Sequence, residues 1–413
     1  MSLFADLLGT VSGWRYVGAA ARDDRPLPAL CDALMGARDE VTGMELARRI
    51  LDRYAAADGP ERLGFFRHLV SEMDVDVAVL RRALDAYAQG ATPESYGALA
   101  AAAEAPRQEL ARRLNRVPGA TARLVAMRAD LLRLAKDHPD LARFDHDLRH
   151  LFASWFNRGF LVLRRIDWES PANVLQRIIA YEAVHEIAGW DDLRRRLEPP
   201  DRRCFAFFHP VMPDEPLIFV EVALTRGIPH SVTDVLAEGR APVAEDRADT
   251  AVFYSISNCQ AGLAGISFGN SLIKQVVADL SAALPHLRSF VTLSPIPGLA
   301  KWVADEGLPA PAGDEALRRM AARYLLTAKG RGGRPRDPVA RFHLGNGAAV
   351  HDVIAGADGS AQGRDQSFGA MVNYRYDPAR IAANLEAGAR GEVPAARRVG
   401  ALARAPLPAS EDA

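Results

Sequence analysis

The chain has 413 residues, 49% of them hydrophobic, and a formal net charge of −1. That length predicts two domains around substantial cores, and the near-neutral balance excludes a global electrostatic pull towards nucleic acid. No apolar run reaches the length of a membrane span, and the three cysteines, Cys31, Cys204 and Cys259, lack metal-ligand spacing, which points to a reducing compartment without a disulfide framework or zinc site.

The first residues, MSLFADLLGTVSGWRYVG, contain no basic leader, and the final Ser-Glu-Asp-Ala is not a peroxisomal address, so a cytoplasmic setting is expected. From about Val41 to Leu151 apolar positions recur at helical spacing. Met44, Leu46, Ile50, Leu51 and Tyr54 form one stripe, Leu63, Phe65, Phe66, Leu69 and Val70 a second, and Val77, Leu80, Leu84 and Tyr87 a third. Thr92-Pro93 reads as a helix start, with an N-cap threonine and proline just inside. Arg107–Leu114, Ala120–Ala135 and Leu141–Phe156 continue the series. Arg112, Arg113 and Arg116 read as a solvated face. Nothing here clusters into a site, so residues 1–155 are expected to be an all-helical assembly domain.

Composition shifts near Phe156. Phe160–Leu163 is a strand candidate, and Pro171–Ala188 reads as a helix. Arg202–His209 and Leu217–Leu224 are strands, the second with the near-continuous apolar character of a two-sided position. The polar loop Ala237–Ala248 leads to Ala251–Ile256, another strand. A turn punctuated by Gly262, Gly265 and Gly269 precedes Leu272, Ile273, Val276, Val277 and Leu280 at helical spacing. Ser289–Leu293 is a strand ending in the sharp turn Ser294-Pro-Ile-Pro-Gly298. This strand–glycine loop–helix–strand unit leaves backbone N–H groups at a helix start free for a phosphate. It is neither a Walker loop nor the Rossmann fingerprint, because GK[ST] is missing and the glycine register differs. Beyond lie a helix around Asp314–Ala328, the basic loop Lys329–Arg336, and a last strand near Met371–Tyr376. Residues 396–413 are expected to form a mobile tail.

Candidate chemistry rests on few residues. His343 precedes Gly345-Asn-Gly347, a turn that would set it at a strand end facing a cleft, although a core histidine fits the local sequence equally well. Ser294 precedes two prolines and a glycine that fix its backbone, and it gains weight only if it meets His343. It does not lie in a hydrolase nucleophile elbow. His209 is a weaker candidate, and Glu182/His185/Glu186 reads as a surface cluster because no histidine follows at i+4. Lys329–Arg336 is either a solvated charge run or a holder of anionic phosphates.

Together these pieces resemble the malonyl-CoA decarboxylase family. The resemblance lies in Arg203-Cys-Phe, Glu215-Pro-Leu, Val222-Ala-Leu-Thr225, Phe253-Tyr-Ser-Ile-Ser257, Gln260-x-Gly-Leu-x-Gly265 and Leu272-Ile-Lys274. It continues in Leu293-Ser-Pro-Ile-Pro-Gly298 with Lys301-Trp302, Asp337-Pro-Val-Ala-Arg-Phe-His-Leu-x-Asn-Gly-Ala348, and Asn373-Tyr-Arg-Tyr376. The likeness runs in order from about Phe156 to Pro378. It implies an α + α/β fold, with the helical assembly domain followed by a GNAT-like mixed-sheet catalytic domain over 156–395. It places the catalytic serine on Ser294 and the catalytic histidine on His343. The coenzyme loop falls on Ala264, Gly265, Ile266, Ser267, Phe268, Gly269 and Asn270, and an active-site tyrosine on Tyr376. Animal members carry glutamate where this chain has Ser267, so no acidic role carries over there. The implied reaction converts malonyl-CoA to acetyl-CoA and CO2 without metal or organic cofactor, coenzyme A being part of the substrate. A homo-oligomer joined through the helical domain is implied, with neither nucleic acid nor membrane as partner. A GNAT-type N-acyltransferase or a non-catalytic acyl-CoA sensor is the alternative.

Overall fold

The computed structural model describes residues 24–266 and 272–407. The chain divides into two compact units, residues 1–148 and 149–413. The first is helical: α1 (Leu27–Gly36), α2 (Glu40–Ala56), α3 (Gly59–Ser71), α4 (Val77–Gln89), α5 (Pro93–Ala103), α6 (Pro106–Leu114), α7 (Ala120–Leu134), and the start of α8 (Ala142–Trp155). Several starts are written locally. Asp39, Asp58 and Asp76 accept backbone N–H groups of the first turns of α2, α3 and α4, and Thr92 with Ser95 makes a capping box on α5. Ile50, Phe66, Leu69, Leu124 and Leu131 are buried in this unit. Arg112 and Arg113 are not a free solvated face. Arg112 pairs with Glu104 and Glu109, and Arg113 donates to Leu34 O (2.7 Å) and Met35 O (3.1 Å). Helices α4 and α5 bury no residue, although Val77, Leu84 and Tyr96 are apolar or aromatic and exposed. No helix of the described residues is long and apolar enough to cross a membrane.

The second unit is built on one mixed sheet. Its strands are β1 (Val162–Ile166), β2 (Arg202–His209), β3 (Met212–Thr225), β4 (Thr250–Asn258), β5 (Ser289–Thr292), β6 (Ser294–Pro295), β7 (Ala349–Ile354) and β8 (Met371–Arg375). The helices are α9 (Ala172–Tyr181), α10 (Trp190–Leu197), α11 (Val232–Leu236), α12 (Leu272–Ala283), α13 (Leu299–Asp305), α14 (Asp314–Thr327), α15 (Pro338–Gly345), α16 (Ala361–Ser367), α17 (Ile381–Ala389) and α18 (Arg397–Arg404). Strand order is β1-β2-β3-β4-β5-β8-β6, with β7 paired to β8. Phe205, Phe207, Val220, Leu224 and Phe253 point to one face, against Ile273, Val276, Val277 and Leu280 of α12. Cys204, Ala206, Phe208 and Phe219 point to the other, against Val174 and Ile178 of α9 and Leu193 of α10. Two covered faces explain the unbroken apolar sequence of β2 and β3.

One pairing is parallel. β4 and β5 run side by side only from Thr250↔Ser289 to Phe253↔Thr292. Beyond that, β4 continues to Asn258, while the other chain turns at Ser294-Pro295 to pair with β8. Pro295 has no N–H to offer a ladder, so it suits this departure. Where the strands part, β4 carries an extra residue: its partners step from Val222↔Phe253 to Glu221↔Ser255, leaving Tyr254 as a bulge.

Four expectations are corrected. The helix expected over Pro171–Ala188 stops at Tyr181, because the Glu182 carboxylate accepts the N–H groups of Val184 and His185 (both 2.8 Å) and turns the chain. That carboxylate also takes the hydroxyls of Ser255 (2.7 Å) and Ser257 (3.3 Å), so Glu182 is a strut on β4 and not part of a surface cluster. The strand expected at Phe160 begins at Val162, after a 3-10 turn over Arg158–Phe160. Of the tail expected to be mobile over 396–413, Arg397–Arg404 form α18, which buries Val399 and Ala403, and residues 408–413 lie outside the described residues. Arg323 on α14 caps the last carbonyls of α18, donating to Ala403 O (3.1 Å) and Ala405 O (2.7 Å).

Candidate active site

Ser294 and His343, 49 positions apart, meet: His343 Nε2 lies 3.1 Å from Ser294 Oγ. Ser294 arrives on β6, at the point where the chain leaves β4. His343 does not sit on a strand end, as its glycine-rich flank suggests. It is in the last turn of the short helix α15. Asp337-Pro338 is an N-cap and N1 signal that starts this helix, and Asn346-Gly347 ends it. Gly347 has φ +85°, and a Cβ there would meet Ile381 Cγ2 at 2.8 Å, so the turn demands glycine.

The imidazole is held on every side. Its Nδ1 lies 2.8 Å from the Tyr376 hydroxyl. The Tyr374 ring stacks on it with centroids 4.5 Å apart and planes 23° from parallel. Ser294 Oγ donates to Thr292 Oγ1 at 2.8 Å, and that oxygen also accepts the Tyr374 N–H at 3.1 Å. Burial pushes the His343 imidazole down to about 3, and burial likewise holds the Tyr376 phenol well above its ordinary value. At neutral pH the histidine is therefore uncharged, with a hydroxyl at each nitrogen. Ser294 is 5% exposed, His343 2% and Tyr376 1%. All three are buried, and the Tyr376 hydroxyl reaches His343.

Sequence reasoning missed what fixes the two elements together. The Asp337 carboxylate caps α15 through Ala340 N–H (2.9 Å) and also accepts Gly298 N–H (3.4 Å) at the end of the Ser294 turn. Tyr324 on α14 donates to the same oxygen at 3.4 Å. A Cβ on Gly298 would stand 2.0 Å from the Tyr324 hydroxyl, so glycine is required for this joint. The Asp337-Pro338 pair carried a readable cap signal. Thr292 and Tyr324 carried none.

Other expected residues lie elsewhere. Ala264, Gly265 and Ile266 follow a single 3-10 turn after β4, with Gly265 at φ +75°. Ser267, Phe268, Gly269 and Asn270 lie outside the described residues. His209 is structural: its Nε2 lies 3.1 Å from Trp155 O and its Nδ1 accepts Val211 N–H at 3.3 Å. In the basic loop, Lys329 donates to Gly391 O at 3.0 Å and Arg336 pairs with Asp305, so both cations are engaged by the protein itself.

The family model of the malonyl-CoA decarboxylase C-terminal domain matches residues 159–314 and 305–412, and that of the N-terminal domain residues 73–156. The chain is similar to the solved malonyl-CoA decarboxylase from Rhodopseudomonas palustris, with a TM-score of 0.86 and 49% identity, over 90% of this chain and 98% of that one. The enzyme of that name from Cupriavidus metallidurans gives 0.73 and 36%, over 91% and 98%. Mitochondrial malonyl-CoA decarboxylase of Anser anser anser is 37% identical over 316 residues, covering 64% of this chain and 62% of that protein. The chain thus spans less than two thirds of the length of such curated relatives. The chain belongs to the malonyl-CoA decarboxylase family.

Proposed function

We propose that the chain decarboxylates malonyl-CoA to acetyl-CoA and CO2. Alongside family membership, the observation that carries this reading is the buried Ser294–His343 contact at the edge of the opening between β4 and β5. Departure of CO2 leaves an electron pair shared between Cα and the thioester oxygen. The thioester is itself the electron sink, so the reading needs no metal or organic cofactor. The protein must orient the carboxylate, favour the enolate and return a proton to Cα.

In this reading Ser294 donates its hydroxyl to the malonyl carboxylate. The resting imidazole is neutral, and a carboxylate bound beside it favours its protonated form. His343 then takes up one proton with the substrate and donates from both nitrogens, to Ser294 and Tyr376. When the C–C bond breaks, the Ser294 proton passes to Cα and the Nε2 proton replaces it on Oγ. The imidazole returns to neutrality, and the proton balance of the reaction closes. Self-association through the helical unit and a cytoplasmic setting belong to the same reading.

Incubation with malonyl-CoA and no acceptor tests it. Acetyl-CoA and CO2 should appear in equal amounts, undiminished by EDTA. Turnover only with an added amine would make the chain an acyltransferase, and binding without turnover a sensor.

A further inference from the structure

Between β7, β8 and α17 lies a cavity of about 490 Å³, and none of Ser294, His343 and Tyr376 lines it. The cross-strand pair Ala349 and Arg375 forms part of its wall, with His351 two positions along β7. Residues 394–396 close one side, held on β7 by Val350 N–H to Pro394 O and Ala396 N–H to Val350 O, both 2.8 Å. Ala383, Asn384 and Ala387 of α17 line another side, with Arg380 just before that helix. Among the described residues the side chains of Arg375 and Arg380 have no hydrogen bond or ion pair. Arg398, on α18, is engaged: its Nε donates to His351 O (3.1 Å) and it pairs with Asp352 (3.4 Å). Asp377 is the one carboxylate on the lining among the described residues, and it accepts the Ala379 N–H at 3.1 Å. Burial, then the charges of Arg398 and Arg375, push the His351 imidazole down, with Asp352 opposing them. The lining thus sets two guanidinium charges against one carboxylate, an excess that an anion relieves.

Charge and lining together select a class of ligand. The volume is in the ordinary range for small-molecule sites. One excess positive charge suits a monoanion, and the guanidinium fork matches a carboxylate. Ala383, Ala387, Pro394 and Ala395 offer no polar side chain, so the rest of the ligand is apolar. We propose that this cavity is an effector site for a monocarboxylate with a short apolar body, separate from the Ser294–His343 pair. Its walls are continuous with the supports of the histidine. Arg375 stands between Tyr374, whose ring stacks on His343, and Tyr376, whose hydroxyl reaches Nδ1. Asn384 is buried and donates to Gly347 O (2.9 Å), in the turn that ends the histidine helix α15. An anion that draws Arg375 and Arg380 together acts on both supports, and its occupancy is read in kcat. The binding goes beyond the decarboxylase reading above, and only the kinetic readout rests on it.

Calorimetry of the full chain with sodium octanoate tests the site. The wild-type chain should bind octanoate and should bind octanol, which has the body without the charge, more weakly. Arg375→Met/Arg380→Met should bind octanoate about 5- to 25-fold more weakly, as for the loss of two exposed ion pairs. Ala387→Leu, which fills the apolar wall and keeps both cations, should weaken it too. Saturating coenzyme A should leave the octanoate affinity unchanged. Absence of binding by the wild-type chain, or octanol bound as well as octanoate, overturns the site. So does wild-type affinity in either variant with unchanged circular dichroism, or displacement of octanoate by coenzyme A. With malonyl-CoA at saturation, octanoate should change the kcat of the wild-type chain, leave its KM, and have no effect on the double variant. Octanoate that binds while kcat stays the same overturns the effector role. If octanoate binds as expected but the wild-type chain turns over no malonyl-CoA, the decarboxylase reading fails and the carboxylate site stands.

Discussion

Burial alone, with no neighbouring charge, pushes the His343 imidazole down to about 3. The consequence for stability has a definite sign. Below the ordinary histidine value of about 6.5 the unfolded chain binds a proton there and the folded chain does not, so folding weakens as pH falls from about 6.5 towards 3. Above that window the group contributes nothing. His343→Asn should therefore flatten the acid side of the stability curve, by about 2 kcal/mol between pH 7 and pH 5. Urea titrations at the two pH values measure it, and parallel losses in both proteins would show that the imidazole is not neutral in the fold. The same residue carries the rate. His343→Asn and Ser294→Ala should each lower kcat by about 100- to 10,000-fold. The double variant should be much less than multiplicatively worse, because both losses spoil one transition state. Tyr376→Phe keeps the ring and removes the hydroxyl at Nδ1. It should lower kcat and shift the pH–rate profile with little change in KM, since Tyr376 acts through His343. Strictly multiplicative losses for the serine–histidine pair would break the unit.

Between elements, the decisive object is a joint of three groups: Gly298 after β6, Tyr324 on α14 and Asp337 at the head of α15. Gly298→Ala drives a methyl into the Tyr324 hydroxyl, 2.0 Å away, and so pushes the serine turn from the histidine helix. Activity should fall with only a modest change in thermal stability. The double variant Gly298→Ala/Tyr324→Phe should recover part of it, because the clashing oxygen is gone. No recovery would place the damage elsewhere. Asp337→Ala removes a cap on α15 and should cost about 1–2 kcal/mol by chemical denaturation. This joint also marks where sequence reading stops. Strands β2 to β5 and helix α12 were legible because period and composition agree: apolar runs of strand formers, then a 3.6-residue stripe. The meeting of Ser294 with His343 was legible only through the family motifs. The secondary structure around His343 was misjudged, since Gly345-Asn-Gly347 ends a helix as readily as it ends a strand. The Asp337 to Gly298 link spans 39 positions and is a property of the folded chain. Glu182, likewise, looked helical by period and was claimed by serines on β4 instead.

At the scale of the whole molecule, the two units differ in how completely they satisfy their own apolar surface. The sheet unit covers both faces of its central strands. The helical unit leaves α4 and α5 without a single buried residue, while Val77 is 62% exposed, Leu84 52% and Tyr96 62%. Tyr87 and Tyr96 touch across the pair with centroids 6.3 Å apart, so the two helices hold each other and offer a shared outer surface. Scattered exposed apolar residues are ordinary, but a helical hairpin with no core of its own gains by covering that surface with another. A second copy of the chain is the simplest cover, because one patch can pair with itself about a twofold axis. Val77→Glu with Leu84→Glu places charge on this surface without touching any buried position. Light scattering of the full-length double variant should report a smaller particle than the wild-type chain at equal concentration, with the kinetics of the Ser294–His343 site as a check on folding. A wild-type chain that is already monomeric at micromolar concentration, or a double variant of unchanged mass, would remove α4 and α5 from the assembly surface.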